Sequence, residues 1–105
     1  MTLEYMEGYP TWTRHYEVPE GSLFIKIANP EGDVWVDAVI GKNGTWENSN
    51  SHALGALAGL CLRSGVRPST VVKYLREVTS EDSLVFGYDA KSIADALGRF
   101  IEEVL

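Results

Sequence analysis

The 105-residue chain carries 15 acidic and nine basic side chains, which give a formal net charge of −6. That charge argues against non-specific binding to DNA or RNA, and no apolar run approaches the roughly 20 residues that span a bilayer. One cysteine and two histidines cannot form an intrachain disulfide or a zinc site built from the usual soft ligands. We therefore expect one cytoplasmic domain, residues 1–105, with no metal, no cofactor, no nucleic-acid polymer and no membrane partner.

The N-terminal half of the chain has the alternating pattern of β-strands. Residues 1–10 fit no periodic element and are expected to form a loose N-terminal arm. Three alternating segments follow, at residues 11–18, 22–28 and 34–40. Turn residues between the second and third segments predict an antiparallel hairpin, and Gly41-Lys42-Asn43-Gly44-Thr45 then reverses the chain.

A central helix is predicted from Asn50 or Ser51 to about Gly65, with helically spaced apolar residues and a glycine that suits its end. Between its leucines this helix contains only small residues. Gly55 and Gly59 each cost a helix about 1 kcal/mol relative to alanine, so their presence predicts a very close packing partner. An ordinary buried helix and a contact between copies both remain open.

Two further helices are predicted in the C-terminal half. Pro68 suits the first position of the second helix, whose apolar stripe is Val71, Val72, Leu75 and Val78. Residues 79–87 are predicted to form a loop, and Asp89 or Ser92 caps a last helix with one broad apolar face. Because strands precede helices, the predicted class is α+β, with a small antiparallel sheet in the N-terminal half packed on two to three helices in the C-terminal half.

The charge is distributed unevenly, and no acidic residue lies between Asn48 and Arg76. This span holds basic residues at the end of one predicted helix and the start of the next, so it could form a local anion site. The alternative is that these side chains lie on the solvated faces of two helices. If there is a ligand, we expect it to be anionic and to carry an aromatic ring, because arginines and aromatic faces suit a phosphate and a base. The candidate ligand-binding residues are Lys42, Arg63, Arg67, Phe86, Tyr88, Lys91 and Arg99.

No catalytic set is visible in the sequence. His15 is interpreted as an exposed strand residue, since no second histidine or cysteine lies near it in sequence. Lys91 and Asp95 are spaced as a surface salt bridge of about 0.3–0.5 kcal/mol. Cys61 is interpreted as a small buried hydrophobe on the apolar side of the central helix.

The ordered set of segments from Gly21 to Leu105 resembles the TSCPD domain, which occurs at the C-terminal end of adenosylcobalamin-dependent ribonucleotide reductases and in small standalone proteins. The similarity comprises the hairpin ending in Gly41-Lys42-Asn43-Gly44-Thr45, the Leu-Gly-Ala-Leu-Ala-Gly-Leu-Cys-Leu-Arg-Ser-Gly-Val segment of the central helix and Val-Val-Lys-Tyr-Leu-Arg-Glu-Val. It ends with Lys91-Ser92-Ile93-Ala94-Asp95-Ala96-Leu97, similar to the family's Ser-Ile-x-Asp-Ala-Ile segment. The chain departs from the family at Thr79-Ser80-Glu81-Asp82, which stands where the family has a cysteine-bearing segment, so a metal or redox role of such cysteines cannot be transferred.

Two functions are therefore predicted. The first is a non-enzymatic, homo-oligomeric module that holds or sequesters a small nucleotide-like ligand. A phage protein that sequesters a nucleotide signal in the host cytoplasm would be a module of this kind. The second, which the resemblance alone implies, is an accessory or regulatory component of ribonucleotide reductase. We expect the oligomer to form through the apolar sheet faces of Trp12 and Trp35 or through Gly55 and Gly59.

Overall fold

A computed structural model describes residues 2–6, 9–41, 45–78 and 87–105, and in these ranges four strands are followed by three α-helices. The strands are β1 (Thr2–Met6), β2 (Tyr9–Val18), β3 (Gly21–Ala28) and β4 (Trp35–Ile40), with a 3-10 helix at Pro30–Gly32 before β4. The helices are α1 (Trp46–Arg63), α2 (Pro68–Arg76) and α3 (Ile93–Val104). The predicted α+β class is confirmed, with an antiparallel sheet in the N-terminal half and helices in the C-terminal half. In the described ranges, no helix has both the length and the apolar character needed to cross a membrane.

The four strands form one sheet in the order β1-β2-β3-β4. The predicted hairpin of β3 and β4 is confirmed, with Ile25 paired to Ala38. The expectation of a loose arm at residues 1–10 is wrong, because β1 pairs antiparallel with β2 and places Leu3 opposite Trp12. A strand forms here although the local sequence has no strand periodicity, since β2 offers a row of backbone groups that need partners.

One face of the sheet packs on α3 and forms the hydrophobic core. Along β3 and β4, and along β2 from Tyr16 to Val18, every second side chain is buried, as predicted, whereas Thr11 of β2, predicted on the polar face, is buried. The broad apolar face of α3 is buried against these side chains, and the Phe100 ring meets Tyr16 edge-to-face with 6.4 Å between ring centroids. The core comprises Tyr16, Val18, Leu23, Ile25, Ile27, Val34, Val36, Ala38, Ile40, Ala58, Val71, Val72, Ala90, Ile93, Ala96, Leu97, Phe100 and Ile101.

The central helix, α1, lies along the free edge of β4. A Cβ atom added at Gly55 would lie 3.2 Å from the carbonyl oxygen of Val36, and a Cβ atom added at Gly59 would lie 3.2 Å from the backbone nitrogen of Val36. Any side chain at either position would therefore push the helix away from the strand backbone. The predicted close packing partner is β4 of the same chain, so the expectation that these two buried glycines contact a second copy is wrong.

Side chains at both ends of α1 complete the backbone hydrogen bonds of this sheet edge. The Ile40 N–H donates to Asn48 Oδ1 at 3.1 Å, and Arg63 Nη1 donates to the Val34 carbonyl at 2.8 Å. An exposed strand edge is a template for aggregation, and a helix laid along it removes that hazard. Close approach of α1 and two side-chain hydrogen bonds thus take the place of a fifth strand.

Both ends of α1 have clear capping interactions. The helix starts earlier than predicted, because Thr45 is its N-cap and accepts a hydrogen bond from the Asn48 N–H at 3.2 Å. At its C-terminal end, the N–H groups of Gly65 and Val66 donate to the carbonyls of Leu62 and Cys61, a Schellman motif in which Gly65 adopts a φ of 95°. Gly65 ends the helix as the sequence predicts, and the tight turn sets the direction of α2.

The second helix, α2, begins at Pro68 as predicted and packs antiparallel against α3. A Cβ atom at Gly98 of α3 would lie 2.7 Å from Arg76 Cγ, so the two helices approach each other closely at the end of α2. Val71 and Val72 of α2 are buried, whereas Val78, which was predicted to continue the stripe, lies beyond the helix and is 50% exposed. The predicted loop at residues 79–87 falls, except for Gly87, outside the described residues.

Candidate anion-binding site

The structure places the candidate ligand-binding residues in two separate groups. Lys42 and Phe86 lie outside the described residues. Arg63 and Arg67 lie at the junction of α1 and α2, which we call the junction group. The others flank the start of α3 and the end of α2, and we call them the α3 group: Tyr88, Lys91 and Arg99.

The two groups lie at opposite ends of α2. A surface groove of about 370 Å³ at the start of α2 is lined by Pro68 together with Glu102 and Leu105 from the end of α3. Arg76, at the end of α2, reaches Asp95 near the start of α3. Because α2 has nine residues, it separates the two groups by roughly 13 Å within one chain.

In the junction group, Arg63 is held rigidly on an aromatic ring. Its guanidinium carbon lies 3.7 Å from the centroid of the Trp35 ring, and the hydrogen bond to Val34 fixes its orientation. Trp35 is 54% exposed, so part of the indole remains open to solvent. A guanidinium stacked on an indole presents donors along its edge beside an aromatic surface, which is the arrangement that a phosphate and a base require.

Arg67 lies one short turn further along the chain and is exposed. It is the N-cap of α2, and its carbonyl accepts hydrogen bonds from the N–H groups of Thr70 and Val71 at 3.0 and 3.2 Å. The first turn of α2 contains no acidic residue. The helix dipole and the guanidinium therefore both favour an anion at this end of α2, and the adjacent groove also contains the carboxylate of Glu102 from α3.

Beside the α3 group lies one buried carboxylate, Asp95, which the side chains of Arg99 and of Arg76 from α2 contact. Asp95 is fully buried and accepts hydrogen bonds from the Lys91 N–H and from Arg99 Nε, both at 2.9 Å. Arg76 Nε lies 3.5 Å from the other carboxylate oxygen, which has no closer hydrogen-bond partner. Two arginines from different helices are thus tied to a single acid, which fixes the packing of α2 on α3.

The predicted surface salt bridge between Lys91 and Asp95 is wrong. Lys91 lies before the first residue of α3, so its backbone N–H reaches the carboxylate while its ammonium donates to the Arg76 carbonyl at 3.3 Å. Burial alone would raise the pKa of the Asp95 carboxyl, but the hydrogen bonds from Lys91 and Arg99 outweigh burial and lower that pKa. Asp95 is therefore an ionised structural anchor.

Three residues that organise these groups were not among the candidate ligand-binding residues predicted from the sequence: Trp35, Arg76 and Asp95. A signal for Asp95 was present, because Ser92 and Asp95 have the spacing of a capping box. Ser92 accepts a hydrogen bond from the Asp95 N–H at 3.0 Å, and the Asp95 carboxylate reaches back to the N–H just before the cap. No signal could have paired Trp35 with Arg63, because their contact depends on α1 lying along β4.

The exposed face of the sheet carries a separate groove of about 610 Å³ between β2, β3 and β4. His15 lies there as an exposed strand residue, as predicted, with its ring stacked on Phe24 at 4.7 Å and its Nε2 atom 2.7 Å from Glu17 Oε1. The groove also contains Lys26 and Asp37, so its charge is mixed. Within the described residues, no group of three or more histidine, cysteine or acidic side chains could hold a metal ion.

Between α1 and α2 lies an apolar groove of about 340 Å³. Cys61, predicted to be buried, forms part of its wall and is half-buried. Leu57 and Tyr74 border the same groove and are 58% and 63% exposed. The helical side of the molecule therefore presents apolar surface that no part of the described chain covers.

The comparisons with known proteins give one match. The family model of the TSCPD domain matches residues 5–105, nearly the whole chain. No curated protein and no solved structure matches the chain significantly. The TSCPD domain is associated with ribonucleotide reductases. The chain belongs to the TSCPD domain family.

Proposed function

We propose that the chain is a non-enzymatic, oligomeric module that binds a small, anionic, nucleotide-derived ligand and holds it out of solution. The observation that carries the proposal is the junction group, where Arg63 is stacked on the half-exposed Trp35 and Arg67 is exposed at the start of α2. Both cations lie in the span from Asn48 to Arg76, which contains no acidic residue, and the acidic side chain that lines the groove at the start of α2 is Glu102 of α3.

The chemistry of the junction group fits a ring and a phosphate. Stacking of a base on an aromatic side chain contributes about 1–3 kcal/mol, and a charge-assisted hydrogen bond to a phosphate contributes about 1.5–3 kcal/mol. One of each contributes about 2.5–6 kcal/mol, which corresponds to a dissociation constant of about 10 mM to tens of micromolar, so tight sequestration requires further contacts. The α3 group of a neighbouring copy would supply them, which is why the proposed module is an oligomer.

The test is calorimetric titration of mono-, di- and cyclic nucleotides into the wild type and into Arg67→Ala. We expect at least one nucleotide to bind with micromolar affinity, and Arg67→Ala to weaken that binding by about 10–100-fold, because one charge-assisted contact is lost. Lys73→Ala is the matched control, since it removes the same charge from an exposed position on the same helix, and its affinity should change by less than about threefold.

Each outcome of the titration is informative. Binding no tighter than millimolar for every nucleotide would refute the function. Nucleotide binding that is equal in wild type and Arg67→Ala would support the function and exclude the junction group as its site. Equal losses in Arg67→Ala and Lys73→Ala would indicate a general charge effect instead of a specific contact.

Family membership favours a second candidate, an accessory or regulatory component of ribonucleotide reductase. This function predicts direct binding to a purified adenosylcobalamin-dependent reductase and a change in its rate. The measurement is reductase turnover with and without a molar excess of the chain. An unchanged rate together with no co-elution would exclude this candidate.

A further inference from the structure

The outward face of α1 has the sequence pattern of a coiled-coil seam. Six residues lie on the side of the helix opposite the buried Gly55 and Gly59, separated by alternating steps of four and three. Such spacing is the heptad pattern that brings two helices together along their length. We call these residues the α1 seam: Trp46, Asn50, Ala53, Leu57, Leu60 and Ser64.

Most of the α1 seam is open to solvent in the single chain. Trp46 is 76% exposed, Leu57 is 58% exposed and Leu60 is 52% exposed. A helix that is apolar on opposite sides is normally covered on both, and here β4 covers only one side. Tyr74 and Val78, which follow in and after α2, extend the apolar surface alongside the seam.

We propose that α1 pairs antiparallel with α1 of a second copy across a two-fold axis level with Gly55, through the α1 seam. Because the axis is level with residue 55, a residue of one helix faces the partner residue whose number brings the sum to 110. Every seam residue therefore faces a seam residue of the partner. Trp46 then faces the partner's Ser64, and Leu57 faces the partner's Ala53. In these two layers a bulky side chain meets a small one, which is how facing layers of two helices fill space without voids, and in the layer between them Leu60 faces the partner's Asn50.

Charge supports a second copy as the occupant of this surface. The chain has a net charge of −6, so two copies repel each other over most of their surface. The seam lies almost wholly in the acid-free span of the sequence, and the acidic side chains that border it, Glu47 and Glu20, line the groove that also contains Trp46 at the start of the helix. Antiparallel pairing also sets the helix dipoles against each other favourably.

The area available is sufficient for a specific dimer but not for a tight one. With 18 residues, α1 is about 27 Å long, and with α2 beside it the apolar strip is roughly 20 Å wide. Pairing two such strips buries on the order of 1,000 Å² in total, which is the lower limit for a specific interface. We therefore expect a dimer that forms at micromolar concentration.

Antiparallel pairing has a consequence for the ligand site, and this consequence alone rests on the proposed function. Trp46 at the start of α1 shares a groove with Ser92 and Ile93, next to the α3 group. The two-fold axis places the N-terminal end of α1 in one copy beside the C-terminal end of α1 in the other copy, where the junction group of that other copy lies. The groups that one chain holds roughly 13 Å apart would then lie at the same end of the dimer.

The first experiment is light scattering of the full chain at roughly 50 μM, where a micromolar dimer is mostly assembled. We expect a mass near twice the 11.6 kDa of one chain. Leu57→Glu places two unpaired charges beside the axis and should raise the dimer dissociation constant at least 100-fold. Its fold should be unaffected, because Leu57 is exposed in the single chain, and circular dichroism checks this.

Phe24→Glu is the matched control. Phe24 is 57% exposed, almost the same as Leu57, but it lies on the outer face of the sheet. We expect Phe24→Glu to remain a dimer. A wild type that is monomeric would overturn the proposal. The proposal would also be overturned if Phe24→Glu dissociated the dimer and Leu57→Glu did not, and that result would indicate an interface through the sheet.

A cross-link tests the antiparallel register directly. Asn50→Cys and Leu60→Cys are combined in a Cys61→Ser background and oxidised mildly. The two cysteines are ten residues apart on one helix, which is about 15 Å, so they cannot form a disulfide within one chain. In the proposed dimer, the cysteine at position 50 of one copy faces the cysteine at position 60 of the other copy. We expect a covalent dimer from the double variant and little from either single variant, and equal yields from all three would refute the register.

Discussion

The buried carboxylate of Asp95 gives the sharpest test of how the helices are held together. Asp95 accepts from the Lys91 N–H and from Arg99 Nε at 2.9 Å and lies 3.5 Å from Arg76 Nε, with none of its own surface exposed. Replacing it with alanine takes away the acceptor of the half-buried Lys91 N–H and the carboxylate of Arg99, and leaves Arg76 with Glu102 as its remaining acidic partner. We predict that Asp95→Ala lowers the free energy of unfolding substantially and loosens α2 from α3.

The magnitude follows from the exposure of the partners. Removing one member of a buried ion pair costs about 3–5 kcal/mol because the other charge stays buried. The side chains of Arg76 and Arg99 are 38% and 39% exposed, so water compensates in part and we expect a loss of about 2–4 kcal/mol. For a domain of this size that loss lowers the melting temperature by roughly 10–25 °C, and the variant stays folded at room temperature.

The assay is urea and thermal unfolding of the wild type, Asp95→Ala and Glu102→Ala. Glu102 is the exposed partner of Arg76 at 2.9 Å, so its removal should cost at most about 0.5 kcal/mol and serves as the control. A cost for Asp95→Ala no larger than that of Glu102→Ala would refute the reasoning, because the carboxylate would then contribute no more than a surface ion pair.

The pH dependence of Asp95 is a second readout of the same contact. The folded pKa of its carboxyl lies below the ordinary value, so its stabilisation is complete above about pH 5 and is lost as the pH falls through the ordinary and then the folded pKa. Asp95→Asn keeps the shape but not the charge. The difference in stability between wild type and Asp95→Asn should be constant from pH 7 to about pH 5 and should shrink at lower pH. A difference that grows on acidification would contradict the lowered pKa.

Two further predictions concern the sheet edge and metal binding. Gly55→Ala gains about 1 kcal/mol of helix propensity but forces a methyl group against the Val36 carbonyl. We therefore expect urea unfolding to show a net loss of stability of about 0.5–2 kcal/mol. The control is Ser49→Ala on the exposed side of the helix, which should cost no stability. EDTA should leave the melting temperature unchanged, because the described residues contain no group of metal-ligating side chains; a clear drop, or stoichiometric zinc by elemental analysis, would disprove this.

The strands that face the core and the helices were predictable because their periodicity is local. Trp12 to Val18 and Leu23 to Ile27 alternate, and α3 has one apolar face, so burial alone selects strand or helix. β1 was not predictable in the same way. Its formation depends on an unpaired edge of β2, a tertiary feature that has no trace in the sequence of residues 2–6.

The position of α1 shows where sequence reasoning reaches its limit. Gly55 and Gly59 correctly predicted a very close neighbour, since glycine in a helix is costly unless something needs the space. The identity of the neighbour could not be read, because a strand edge and a second helix both fit small residues. The candidate site was affected in the same way: the basic residues could be named, but their division into two groups depends on the antiparallel packing of α2 and α3.

The proposed pairing of α1 links assembly to ligand binding. A ligand that contacts the junction group of one copy and the α3 group of the other binds only the dimer, so it stabilises the dimer by mass action. The two effects are reciprocal: dimerisation raises the affinity for the ligand, the ligand raises the affinity between the two copies, and thermodynamics requires the two factors to be equal. Leu57→Glu, which touches neither group, should therefore weaken nucleotide binding as well as dimerisation. If it abolishes the dimer but leaves nucleotide affinity unchanged, the site lies within one chain and the junction group alone must account for binding.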